Sequence, residues 1–412
     1  MSYYHRDTCR LCDNRNLVKV LSLTPTPPAN AFVSQKELND KQDCFPLDLW
    51  FCKNCSHIQL LDVVDPGLLF NDYVYVSGTS PVFVRHFEEY ACTVKDYVTL
   101  GGDSSVIDIG SNDGTFLKAF KNHGARVLGI DPAVNIAEQA TKSGIETIGA
   151  FFDSALAKKI LTSHGQADVI TANNVFAHID DLADVVKGIK ILLKKDGVFV
   201  FEVSYLLDLY EKTLFDMIYH EHLDYHSVQP LMYFFEQHDM EIFKVQRVTS
   251  HGGSIRCFVQ KKGGKKNVDS GIADLVKLEK KSGLYDENTF MVFGEKVQRL
   301  GNELRALLMD LKLNGKQIAG FGAPAKTTTL MYHFQISADD VSFIVDDNPK
   351  KQGLYTPGLH IPVLSASAIE KFKPDYLLIL AWNFAEVILG KNQKFLNDGG
   401  HAIIPLPELK VI

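Results

Sequence analysis

Between residues 71 and 270 the chain alternates short, unbroken apolar runs with stretches whose apolar positions recur at helical spacing. SSVIDIG, RVLGIDP, ADVITANNVF and VFVFEVS read as buried strands. TFLKAFKNHG, VNIAEQATKSG and DLADVVKGIKILLKKDG read as the helices between them. Repeated βα units of this kind predict an α/β fold, a parallel sheet with helices on both faces.

The pattern changes on either side of this segment. Residues 1–70 lack long helical patterns and carry the proline-rich stretch TPTPPAN. From residue 271 a long amphipathic stretch, NTFMVFGEKVQRLGNELRALLMDLKLNG, leads into a second βα series in QIAGFGAPAK, DVSFIVDDNPKKQG and DYLLILAWN. Three domains are therefore expected: 1–70, 71–270, and a smaller α/β unit over 271–412. A chain of 412 residues is too long for one ordinary core, in keeping with that division.

Composition narrows the class without changing the layout. With 46% apolar and 23% charged residues the chain reads as globular. A formal net charge of -7 argues against nucleic acid as the partner. No apolar run is long enough to span a bilayer, and MSYYHRDTCRLC has no signal-peptide core, so no membrane partner and a cytoplasmic location are expected. The sequence does not fix the oligomeric state, and a monomer is compatible with it.

Four of the seven cysteines fall in two pairs, Cys9-Arg-Leu-Cys12 and Cys52-Lys-Asn-Cys55. Two such knuckles can close a thiolate tetrahedron around Zn2+, and a small segment with little core gains folding energy from it. Four cysteine ligands leave no open position, so the zinc is expected to be structural. Cys44, Cys92 and Cys257 are isolated and expected to be packed.

Val106-Ile-Asp108-Ile-Gly110-Ser-Asn112-Asp-Gly114 ends one strand and opens a helix, and Asp131 ends the next strand. Gly110 permits close backbone approach to a ligand, and a carboxylate at the position of Asp131 can accept both hydroxyls of a ribose. The fingerprint D-x-G-x-N-x-G lacks the full G-x-G-x-x-G pattern that hugs a pyrophosphate. That favours S-adenosylmethionine over a nicotinamide dinucleotide.

Candidate chemistry gathers in two places. Asn173-Asn174-Val-Phe-Ala-His178 follows a strand at the end where open α/β sheets build their sites. Tyr219-His220-Glu221-His222-Leu-Asp-Tyr225-His226 concentrates groups suited to proton transfer near neutrality. No glutamate directly follows His222, so His222 and His226 do not form the H-E-x-x-H zinc motif, and no catalytic metal is expected. In the last segment Gly320-Phe-Gly322-Ala-Pro-Ala-Lys326 follows a strand and precedes a helix, where backbone amides and Lys326 suit a phosphate. Arg256, in His251-Gly-Gly-Ser-Ile-Arg256, is a second candidate cation.

Together the paired CxxC, YVYVSGTS, DIGSNDG, NNVFAHI, YHEHLDYHS, HGGSIR, GFGAPAK and DDNPKKQGLYTPGLHIPV make the chain resemble the sugar C-methyltransferases of deoxysugar biosynthesis over essentially its whole length. The resemblance implies a zinc-binding lobe, a Rossmann-like S-adenosylmethionine-dependent core and a C-terminal lobe that helps hold a nucleotide-linked keto-sugar. It implies that His222 is the base, with Tyr219 and Glu221 beside it, His178 in the same site, and Tyr73 and Tyr75 lining the cavity. It favours dTDP as the nucleotide, with GDP as the alternative. A carbon attacks a sulfonium methyl only after losing a proton next to a carbonyl, which matches a histidine base and a donor for the enolate oxygen. The competing acceptor is an oxygen or nitrogen of a sugar or other small metabolite, which needs no enolate.

Overall fold

The structure, a computed structural model, describes residues 2–70, Gly78 and 81–412. Tyr73 and Tyr75, with most of YVYVSGTS, lie outside the described residues.

The first segment is a β lobe. Leu17–Thr26, Phe45–Cys52 and Ile58–Leu60 pair antiparallel, and Asp224–Tyr225, from far along the chain, adds to the edge of the same sheet. Along Phe45–Cys52 the side chains of Phe45, Leu47, Leu49 and Phe51 are buried, the period of two that a one-sided strand requires.

The central sheet has the spatial order Met240–Val248, Ser254–Lys261, Leu193–Ser204, Ala167–Asn173, Ser105–Ile109, Arg126–Asp131, Thr147–Gly149. The last five strands of that order are parallel, and the first two run antiparallel to them or to each other. The loop between Val248 and Ser254 is far too short for a crossover, so those two strands form a hairpin. The preceding helix is shorter than the apolar pattern suggests. It spans Leu182–Leu192, and Leu193 already pairs with Ala167, so LKKDG belongs to the strand.

The C-terminal sheet runs Val363–Leu364, Ile344–Val345, Ile318–Phe321, Tyr376–Ile379, His401–Ile404, Lys410–Val411, and all but the last strand are parallel. The long amphipathic stretch forms the helix Glu287–Leu313, which buries Phe290, Phe293, Val297, Leu300, Leu304 and Leu308. One continuous apolar cluster runs from Leu11 and Leu49 through Phe199 and Phe235 to Leu330 and Leu406, so the lobes share a core. Among the described residues no helix is long and apolar enough to cross a membrane. Of the cysteines expected to be packed only Cys257 is buried; Cys44 and Cys92 are exposed on the surface.

Both α/β sheets have a point where the chain reverses its direction of winding. In the central sheet it lies between Ser105–Ile109 and Ala167–Asn173, and in the C-terminal sheet between Ile318–Phe321 and Tyr376–Ile379. Open α/β sheets bind ligands at the carboxyl ends of the strands flanking such a point. Here the two points open into one space.

Candidate active site

A cavity of about 990 Å³ is lined by residues of all three segments. Asp108, Gly110, Asn112, Asp131 and Asn173 form one end; His178, Tyr219, Glu221 and His222 form the middle; Lys326 lies at the other end. Asn30 reaches in from the N-terminal lobe, and Asp346, Asn348, Lys351 and Asn383 from the C-terminal lobe.

At the first end Gly110 has φ 71°, and a Cβ there would stand 2.2 Å from Val175 Cγ2, so the turn tolerates only glycine. Asp131 braces it: the backbone N–H groups of Asn112 and Ala133 donate to its two carboxylate oxygens at 2.8 and 2.9 Å. Asp108 is fully buried and accepts the Thr171 hydroxyl at 2.6 Å; burial pushes its pKa up to about 7. Burial also raises Asp131, against those two amide hydrogen bonds. Ser111 Oγ and Asn173 Oδ1 are buried with no hydrogen-bond partner among the described residues. A cavity edge holding acceptors and unmatched polar atoms fits a polar cofactor with hydroxyl and ammonium groups, which S-adenosylmethionine has.

In the middle, the carbonyl oxygen of Met217 lies 2.9 Å from His222 Nδ1. A carbonyl only accepts, so Nδ1 carries a proton, and Nε2 is within hydrogen-bond distance of the Tyr219 hydroxyl at 3.0 Å. The His178 and His222 rings are 5.0 Å apart, and Phe70 stacks on His178 at 5.7 Å. Asn30 Nδ2 donates to Glu221 Oε1 at 2.8 Å, and burial lifts this carboxyl to about 7 despite the nearby Lys351.

At the other end Lys326 is almost fully buried. Its ammonium lies 3.4 Å from Asp216 Oδ2 and 4.1 Å from the Trp382 ring centre, so its charge is already matched within the protein. Burial lowers its pKa, as it does that of Lys351, which donates to the Ala323 carbonyl at 2.7 Å. Arg256 does not line the cavity. Its guanidinium pairs with buried Glu202 at 2.8 and 3.0 Å and stacks on Tyr90 at 3.6 Å. His86, which does line it, donates from Nε2 to the same Glu202 carboxylate at 2.8 Å.

Several of these residues were not singled out from the sequence. Lys351 and Asn348 stand in DDNPKKQG, whose paired lysines after a strand were the available signal. Asn30 ends TPTPPAN, and nothing local marks it, because its role depends on a contact with Glu221 far along the chain.

The four knuckle cysteines meet away from the cavity. Their sulfurs all lie within 4.8 Å of one another, with Cys9–Cys55 at 3.6 Å and Cys12–Cys52 at 3.5 Å. A tetrahedral site with zinc–sulfur bonds of about 2.3 Å has sulfur–sulfur edges of about 3.8 Å, so the set fits zinc. Both knuckles close alike: Asp13 N–H donates to the Cys9 carbonyl and Ser56 N–H to that of Cys52, with Asp13 and Ser56 at positive φ.

The doubly wound core, with its glycine turn and acidic residues at the switch point, defines an S-adenosylmethionine-dependent methyltransferase, and residues 83–245 match the family model "Methyltransferase domain". Residues 9–70 match a "zinc binding domain" model and residues 249–407 the "C-methyltransferase C-terminal domain". C-methyltransferase NovU of Streptomyces niveus is 34% identical over 406 residues, covering 98% of this chain and 97% of that protein. The chain belongs to this family of C-methyltransferases with an N-terminal zinc-binding domain. A ubiquinone biosynthesis O-methyltransferase of Colwellia psychrerythraea is 27% identical over 150 residues, 34% of this chain and 61% of that protein. The magnesium protoporphyrin IX methyltransferase of Synechocystis PCC 6803, solved with bound SAH, aligns over 43% of this chain and 83% of that one, at 13% identity and a TM-score of 0.35.

Proposed function

We propose that the enzyme methylates a ring carbon of a nucleotide-linked keto-sugar, dTDP-linked by preference, and that His222 removes the proton next to the carbonyl. The observation that carries this reading is the hydrogen bond between His222 Nδ1 and the Met217 carbonyl. With a proton held on Nδ1 there, Nε2 is the ring nitrogen left to act as base, beside the Tyr219 hydroxyl in the cavity lining.

When bound, S-adenosylmethionine supplies an electrophilic methyl group. The end formed by Asp108, Gly110, Asn112, Asp131 and Asn173 is the cofactor end. In the middle, the C–H proton passes to His222 Nε2, and the electron pair it leaves moves towards the carbonyl oxygen, so that the carbon becomes an enolate nucleophile. Tyr219 supplies a hydroxyl donor for the oxygen that gains charge, and His178 is a second imidazole within the same space. Lys351 and Lys326, with the amides of the Gly322 turn, form the end for the nucleotide diphosphate. The partner charge of Asp216 makes Lys351 the stronger anion ligand of the two. Arg256 acts through Glu202 in shaping the wall rather than on the substrate.

The test is His222→Asn. Loss of a positioned base costs ~10²–10⁴-fold, so kcat should fall by that order while S-adenosylhomocysteine still binds. Near-normal turnover beside an inactive His178→Asn enzyme would move the base role to His178. Mild effects of both would favour an oxygen or nitrogen acceptor, which needs no enolate.

A further inference from the structure

We propose that Arg10, inside the first cysteine knuckle, is a positioning residue for methyl transfer that fixes the loops of His222 and His178 against each other. The inference rests on the reading of those two histidines given above.

A tetrathiolate site needs no arginine between its first two ligands, and a surface residue would serve there. Arg10 instead has a side chain with no solvent exposure. Burying a guanidinium is unfavourable unless hydrogen bonds and opposite charge offset the lost hydration. The offset comes partly from Gln59 and Leu60 of the zinc lobe and partly from groups next to the two histidines. Nη1 donates to the Leu60 carbonyl and reaches that of Leu223, the residue after His222, at 3.5 Å. Nε donates to Asp180 Oδ1 at 2.9 Å, two residues beyond His178. Asp224 Oδ2 lies 4.0 Å away.

The backbone carries the same link. Leu223 N–H donates to the Ala177 carbonyl, and Leu60 N–H donates to the Leu223 carbonyl, both at 2.8 Å. The residue after His222 is thereby bonded to the residue before His178 and to the edge of the zinc lobe. Asp180, which lines the cavity, is also held by the Tyr4 hydroxyl and by Arg6 at 3.4 Å. Within this frame zinc folds the knuckle, the knuckle aims one guanidinium, and the guanidinium sets the spacing of two imidazoles.

The experiment is a double-mutant cycle on the zinc-loaded full chain, with Arg10→Lys and His222→Asn, measuring kcat, KM, zinc content and S-adenosylhomocysteine affinity. Arg10→Lys keeps the charge but loses the fork that reaches both loops. Misplacement of about 1 Å can cost roughly 10²-fold, so kcat should fall ~10–100-fold with zinc, KM and cofactor affinity held. In the His222→Asn background the same change should have less than about a twofold effect, because the two residues act as one unit. An equal fall in both backgrounds, or no fall together with unchanged ring signals, overturns the proposal.

Nitrogen NMR of histidine-labelled protein gives a readout independent of turnover. The His222 ring should leave its single Nδ1-protonated form in Arg10→Lys. Ring signals that move while kcat does not would support the positioning and count against His222 as base. If Arg10→Lys does not retain zinc, Asp180→Asn removes the contact from the core side and carries the same cycle.

Discussion

The two switch points are built alike and differ in the side chains around them. After Ser105–Ile109 the chain turns at Gly110, φ 71°; after Ile318–Phe321 it turns at Gly322, φ 92°. A Cβ on Gly110 would strike Val175 at 2.2 Å, and one on Gly322 would strike Ala381 at 2.4 Å, each beyond the neighbouring strand across the switch point. Asp131 braces the first turn with hydrogen bonds from Asn112 and Ala133, and Asp346 braces the second with bonds from Ala323 and Asn348 at 2.7 and 2.8 Å. The cavity faces differ. Around the first turn stand Asp108 and Asp131, and around the second Asp346 is joined by two lysines, Lys351 and the Asp216-paired Lys326. One backbone device thus carries two different sets of side chains, and these and not the turn set the local field.

The comparison can be broken at either end. The largest effect is expected at Lys326→Ala. Removing one partner of a buried ion pair strands the other, so Asp216 without its cation should cost about 3–5 kcal/mol of stability, read by chemical denaturation. A stable variant with only a raised substrate KM would make Lys326 a ligand rather than a strut. Asp131→Ala should weaken S-adenosylhomocysteine binding by about 1–3 kcal/mol in calorimetry while a nucleoside diphosphate binds as before. Lys351→Ala should do the reverse, raising the nucleotide-sugar KM about tenfold, the equivalent of ~1.4 kcal/mol. A crossed result, with each variant affecting the other ligand, would invert the assignment of the two ends.

The smallest expected signal is a slope. Burial raises Asp108 from 3.8 to about 7, so the folded cofactor-free protein holds a proton that the unfolded chain has released. Its contribution to stability is full below 3.8 and is lost as pH rises through about 7. Asp108→Asn should flatten that fall in urea midpoints measured across the window. An unchanged slope would mean that the carboxylate is solvated enough to ionise normally.

Much of this was legible in the chain. Paired CxxC motifs foretold the cysteine cluster because ligand spacing is local, and apolar periodicity foretold the βα order because burial on a sheet imposes it. The pairing of Asp224–Tyr225 with the zinc-lobe sheet was not legible, since a two-residue strand has no periodicity to read. Neither were the partners of Glu221 and Arg256. Sequence proximity puts Glu221 beside His222, and no local pattern announces that its carboxyl accepts from Asn30. Arg256 was read as a substrate cation because its charge is visible, whereas Glu202, which neutralises it, is distant in the chain.

The central claim is that a carbon-bound proton leaves to His222 before methyl transfer. The most direct measurement incubates the enzyme with keto-sugar nucleotide and S-adenosylhomocysteine in deuterated water, where no methyl can be transferred. The account predicts that the proton next to the carbonyl exchanges with solvent in the native enzyme and that exchange stops in His222→Asn. Exchange that continues at the native rate in His222→Asn, with the cofactor still bound, would contradict it.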